Sequence, residues 1–176
     1  MKKIIIIFLL IVGTAACQQK EEPKTPYQFP TGPTGPIQAQ DDLKLLKEAV
    51  RKDPGNVNAW IKLGNTMMDT SRYTEAIEAY QKALDIDPKN VDARVDMGTC
   101  YRYSGRPDKA VEEYRKALKI NPTHVFGHKN LAVVLAYDFK DNAQAAKELE
   151  KVLELAPNAP DAAQIRQELQ RLKASK

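Results

Sequence analysis

Cysteine and histidine are scarce, with two of each in 176 residues. That is too few for a disulfide framework or a Cys/His-rich zinc module. Glycine numbers only eight, and no run of it builds a phosphate-cradling loop. His-Glu-x-x-His and Gly-x-Ser-x-Gly are missing as well, so no catalytic fingerprint is present and neither a cofactor nor a metal is expected. Charge of one sign is not in surplus either. Lys and Arg (27) exceed Asp and Glu (23) by a net +4, too little to mark a nucleic-acid binder. What is present is a 43% hydrophobic fraction, which excludes a chain disordered throughout and leaves room for one modest core.

The one long apolar run is at the start. Met1-Lys2-Lys3 is followed by apolar Ile4 to Val12 and then by small residues up to Cys17. A cationic start, a short apolar middle and a small-residue exit make residues 1–16 a secretory signal peptide, too short to cross a membrane as a helix. Small residues directly before Cys17 resemble the bacterial lipoprotein signal, in which that Cys is acylated and becomes the mature N-terminus. Thr14 stands where that signal usually has a bulky aliphatic, and Thr14-Ala15-Ala16 equally fits an ordinary cleavage site that leaves Cys17 unmodified. The lipoprotein resemblance implies attachment to a membrane through the N-terminal lipid and exposure to the periplasm. Gln18 then favours the outer membrane in a two-membrane host. Residues 17–37 form a tether. From Gln18 to Pro36, five prolines (Pro23, Pro26, Pro30, Pro33 and Pro36) exclude helix and central strand, and that stretch would reach at most about 60 Å at ~3.1 Å per residue. Tyr27 and Phe29 are its only aromatic residues.

The remainder repeats at an offset of 34. Leu63-Gly64 falls on Met97-Gly98, Ala79-Tyr80 to Leu84 on Glu113-Tyr114 to Leu118, and Ile86-Asp87-Pro88 on Ile120-Asn121-Pro122. Period and residues resemble the tetratricopeptide repeat (TPR), a helix-turn-helix unit. Its pattern is filled by Trp60, Leu63-Gly64, Met67, Ala76, Tyr80, Ala83 and Pro88, and again by Arg94, Met97-Gly98, Tyr101, Ala110, Tyr114, Ala117 and Pro122. A third unit carries His128, Leu131-Ala132, Leu135, Ala145, Leu149, Val152 and Pro157, with one extra residue in its turn. The expected architecture is an all-α solenoid of about three repeats, at 57–90, 91–124 and 125–158. A capping half-repeat helix at 38–56 and a capping helix at 159–176 close its ends, because such units cannot bury their apolar faces alone.

Spacings of three and four place Trp60, Leu63 and Met67 on one buried stripe, and Ile77, Tyr80 and Leu84 on another. Small residues at Gly64, Gly98, Ala76 and Ala110 suit close helix approach, and Pro88, Pro122 and Pro157 end the second helices. His124 and His128, four apart, could share one helix turn as a metal pair, but His128 occupies the packing slot of Trp60 and Arg94, so a structural role is expected. Cys100 reads as a small buried apolar group.

By resemblance, the first helices of the units line a concave groove that holds an extended peptide or a partner's helix. On them, opposite the buried stripe, lie Asn58, Ile61, Lys62, Asn65 and Asp69; Asp92, Val95, Asp96, Thr99, Arg102 and Tyr103; and Phe126, Lys129, Asn130, Val133 and Tyr137. Asp69, Asp92 and Asp96 balance Lys62, Arg102 and Lys129, so no phosphate-tracking stripe is expected. Asn suits gripping a peptide backbone, and Tyr103, Phe126 and Tyr137 suit an apolar anchor. TPR domains that hold a terminal carboxylate use Lys, Asn and Arg at set places; here Asn65 matches, whereas Ile61 and Asp96 do not. The expectation is a membrane-anchored scaffold in a cell-envelope assembly, binding a protein or peptide, with self-association of the array as the structural alternative.

Overall fold

The first helix of each unit starts where a side chain takes up a free N–H group of the helix end. Asn56, Asn90 and His124 recur at the 34-residue period and accept the N–H of Ala59, Ala93 and Gly127, each at 3.0 Å. Just upstream, Asp53, Asp87 and Asn121 accept the N–H two residues on, at 3.2, 3.1 and 3.1 Å. The linking sequences Asp-Pro-Gly-Asn, Asp-Pro-Lys-Asn and Asn-Pro-Thr-His are thus one device: an Asx turn, a proline that cannot continue the previous helix, and a cap for the next.

A computed structural model describes residues 36–174, all within one unit, Pro33–Lys176. Among the described residues there are eight helices and no strand: α1 (Pro36–Lys52), α2 (Val57–Asp69), α3 (Tyr73–Ile86), α4 (Val91–Tyr103), α5 (Pro107–Ile120), α6 (Val125–Tyr137), α7 (Asn142–Leu155) and α8 (Ala162–Ala174). The fold is an all-α solenoid of helix-turn-helix units. α2 packs on α3, α4 on α5 and α6 on α7, while α3 meets α4 and α5 meets α6. α1 covers α2 at one end and α8 covers α7 at the other. Signal peptide, Cys17 and most of the tether lie outside the described residues. Pro36 and Ile37, read as the end of the tether, open α1 instead. Proline is tolerated in a first helical turn, where its missing N–H has no partner to lose. Among the described residues no helix is long and apolar enough to cross a membrane.

Within units, a three-way correspondence sets how closely the helices approach. Tyr80 and Tyr114 are 0% and 1% exposed, and each lies over a glycine. A Cβ on Gly64 would stand 2.8 Å from Tyr80, and one on Gly98 2.6 Å from Tyr114. In the third unit Ala132 and the smaller Leu149 replace Gly and Tyr, both buried. Each phenol also needs a partner. Tyr80 donates to Asn65 Oδ1 at 2.7 Å. Thr99 commits its proton to the Val95 carbonyl (3.1 Å) and so accepts from Tyr114 at 3.1 Å. Where Leu149 has no hydroxyl, the corresponding residue is Val133.

A second correspondence holds the slot of Trp60, Arg94 and His128. Each reaches back to a proline carbonyl six residues earlier: Trp60 Nε1 to Pro54 (2.9 Å), an Arg94 terminal nitrogen to Pro88 (2.9 Å) and His128 Nε2 to Pro122 (3.0 Å). Trp60 sits opposite small Ala79 and is only partly buried, not the core residue expected, since it lines an open cleft between α1, α2 and α3 with Val50 and Lys82. Arg94 instead pairs with Glu113 at 2.8 Å and His128 with Glu148 at 2.6 Å.

Candidate functional site

The first helices α2, α4 and α6 lie side by side, α4 touching both others, and so present one continuous face. Of the residues expected on it, Asn58, Lys62, Asp69, Asp92, Tyr103 and Phe126 are exposed. Ile61, Asn65, Asp96, Arg102, Lys129, Val133 and Tyr137 are half-buried. Val95, Thr99 and Asn130 are buried, at 2%, 5% and 6% exposure, and are not open to a ligand as expected. The reason is position. α4 and α6 are interior helices with neighbours on several sides, so the wall opposite the intra-unit stripe is also covered. Asn130 Nδ2 donates to Thr99 Oγ1 at 3.3 Å, which makes it a bridge between units. Asn65 Oδ1 is likewise taken by Tyr80.

The expected charge balance changes as well. Arg102 Nε is 2.7 Å from Asp138 Oδ2, with the guanidinium side chain 12% exposed. Lys129 Nζ is 2.6 Å from Asp161 Oδ2 and is also 12% exposed. Two of the three groove cations are therefore neutralised from outside the groove set. His124 accepts through Nδ1 as a cap, so its Nε2–H donates to Asp92 Oδ1 at 2.9 Å. Asp96 has neither a salt bridge nor a hydrogen-bond partner among the described residues. Burial, with repulsion from Asp92 and Asp69, pushes its carboxyl up to about 7. Burial, and then the charge of Asp96, drives the Tyr80 phenol upward too.

Aromatic groups mark two places on this face. Phe126 is 62% exposed, with Lys129 Nζ 5.5 Å from its ring centroid. Tyr103 is 43% exposed and stacks on Tyr73 at 5.2 Å. Tyr137 donates to Glu168 at 3.0 Å. Tyr73, Asp138, Asp161 and Glu168 were outside the sequence expectation. They sit in turns, on a second helix and on α8, where spacing along α2, α4 and α6 carries no signal for them.

The remaining chemistry-bearing groups are engaged structurally. His124 caps the start of α6, while His128 bonds the Pro122 carbonyl and Glu148 of α7; among the described residues no three or more His, Cys, Asp or Glu cluster to hold a metal. Cys100 is 0% exposed, and burial, reinforced by Asp96, pushes its thiol up to about 12, far from a reactive thiolate.

Stacked helix pairs with a ligandable face of first helices define a TPR interaction module, a class that is generally non-catalytic. The family model for the TPR domain of cytochrome c-type biogenesis protein H matches residues 37–163, and the chain belongs to that family. No curated protein matches it. Among solved structures it is similar to a MamA crystal structure at 20% identity and TM-score 0.67, covering 77% of this chain and 85% of that one. A second MamA structure gives 22% and 0.68, covering 77% and 74%. The first TPR of Spaghetti (RPAP3), bound to the HSP90 peptide SRMEEVD, gives 24% and 0.62, covering 68% and 94%. At these identities the likeness is one of fold.

Proposed function

We propose that this protein is a membrane-tethered scaffold that holds a partner protein or peptide against α2, α4 and α6, in a cell-envelope assembly serving cytochrome c-type biogenesis. The family description points to that process, and the signal-like residues 1–16 with Cys17 support an envelope location. The observation that carries the binding surface is Phe126 and Tyr103 standing 62% and 43% exposed on one face of a packed array. Large exposed aromatics on such a face serve as anchors at interfaces. That a similar fold, the first TPR of Spaghetti, is bound to an HSP90 peptide supports a peptide or protein ligand here.

The test uses the full chain in its host membrane. Photo-crosslinking from the groove should capture a partner, and Phe126→Ala or Tyr103→Ala should weaken capture about tenfold, as truncating an anchor commonly costs 2 kcal/mol or more. Lys82→Ala, on α3, should change nothing. Deleting the gene should reduce haem-stained c-type cytochromes; unchanged staining would move the scaffold to another assembly. Cys17→Ser should abolish palmitate incorporation, and unchanged labelling would end the lipid-anchor reading.

A further inference from the structure

Resting on that reading, we infer that the partner segment presents a basic side chain, Lys or Arg, next to an apolar one, and that the basic group docks beside Asp96. The argument is charge complementarity. The face would be electrically balanced if its three acids met three free bases. Arg102 and Lys129 are instead satisfied by Asp138 and Asp161 at 2.7 and 2.6 Å. Lys62, fully on the exposed side of α2, then stands against three acids. Of these, Asp96 is in the costliest position: it is half-buried, without a counter-ion, and repelled by Asp92 on its own helix and Asp69 on α2.

A carboxylate in that setting destabilises the empty array. A guanidinium or ammonium brought in by a ligand relieves the repulsion and supplies the missing hydrogen-bond donors. A carboxylate-rich ligand would add to the repulsion. Tyr103 and Phe126, exposed on α4 and α6, offer aromatic surface to the apolar neighbour and cation–π contact to the basic one. A face built this way selects against acidic tails and in favour of basic segments, by attraction and by repulsion together.

The test is fluorescence anisotropy on the full chain in detergent micelles, with two labelled probes of about eight residues. One alternates Lys with Phe and Ala; its twin carries Glu for every Lys. The Lys probe should bind roughly tenfold tighter than the Glu twin, and added salt should weaken it. Asp96→Asn should lower Lys-probe affinity about tenfold while raising the melting midpoint of the free protein. A residue with a merely structural role would not move those readouts in opposite directions. Equal binding of both probes, with both lost in Phe126→Ala, would overturn the basic partner and leave the groove standing. Lys-probe binding indifferent to Asp96, Phe126 and Tyr103 would overturn the groove as well. Failure of the Lys probe to bind at millimolar concentration overturns the basic partner. A concentration-dependent dimer that Asp96→Asn abolishes would assign the face to a second copy of the chain.

Discussion

His124 replaces an asparagine as a helix cap and keeps the function because an imidazole nitrogen, like an amide oxygen, can accept the N–H of the residue three on. His124→Asn should therefore leave the urea midpoint nearly unchanged, whereas His124→Ala should cost about 1 kcal/mol. Asp96 gives a pH dependence of definite sign. Its carboxyl titrates near 7 in the folded chain and about 4 when unfolded. The folded state therefore holds the proton more strongly. Asp96 costs nothing below about pH 4, and stability falls as pH rises to about 7. Asp96→Asn should match the wild type near pH 4 and exceed it near pH 8 by roughly 1–3 kcal/mol in urea unfolding, discounted for partial solvent access. The Gly98 and Tyr114 pair offers a third test. Gly98→Ala should lose about 1–3 kcal/mol, because its Cβ would meet the buried ring. The loss should largely vanish in a Tyr114→Leu background, as the Ala132 and Leu149 pairing implies, and a double-mutant cycle reads the difference.

At the scale of elements, the turns inside units each hold one residue in the left-handed region: Ser71 at φ 59°, Gly105 at 77° and Lys140 at 59°. Only the middle unit uses glycine there. Ser71→Gly should raise stability by up to about 1 kcal/mol, since relief of the side-chain clash outweighs added freedom in the unfolded chain; an unchanged or lower urea midpoint would refute it. The helices and the prolines that end them were legible in the sequence because each depends on residues a few positions apart, repeated every 34. The small-against-large pairing of Gly64 with Tyr80 could be anticipated, but its matching polar partner Asn65 could not, since a surface-facing Asn and a satisfied buried one have the same spacing. The groove charges were misjudged for a related reason. Asp138 and Asp161 lie 36 and 32 residues from their partners, and scattered surface acids leave no periodic trace of the cation they meet.

At the scale of the whole molecule, the helices of the described residues pack mainly on adjacent helices along the array, so each end depends on its cap. Ile165 and Leu172, at 0% and 3% exposure, are what α8 buries against α7. Ending the chain after Pro160 should cost roughly 3–6 kcal/mol from those two side chains. It should also leave an apolar end that self-associates, read as a lowered melting midpoint and a concentration-dependent mass in sedimentation. Full stability and a monomer after that truncation would mean that the third unit closes itself.

Trp60, hydrogen-bonded to the Pro54 carbonyl where α1 meets α2, is the only tryptophan in the chain. Its emission is therefore a spectroscopic beacon fixed at one end of a linear assembly, blind to α6, α7 and α8. Circular dichroism, by contrast, averages over every helix. If the array unravels from the far end, ellipticity will fall before the fluorescence shifts, and the gap between the two curves measures how far cooperativity reaches along the stack.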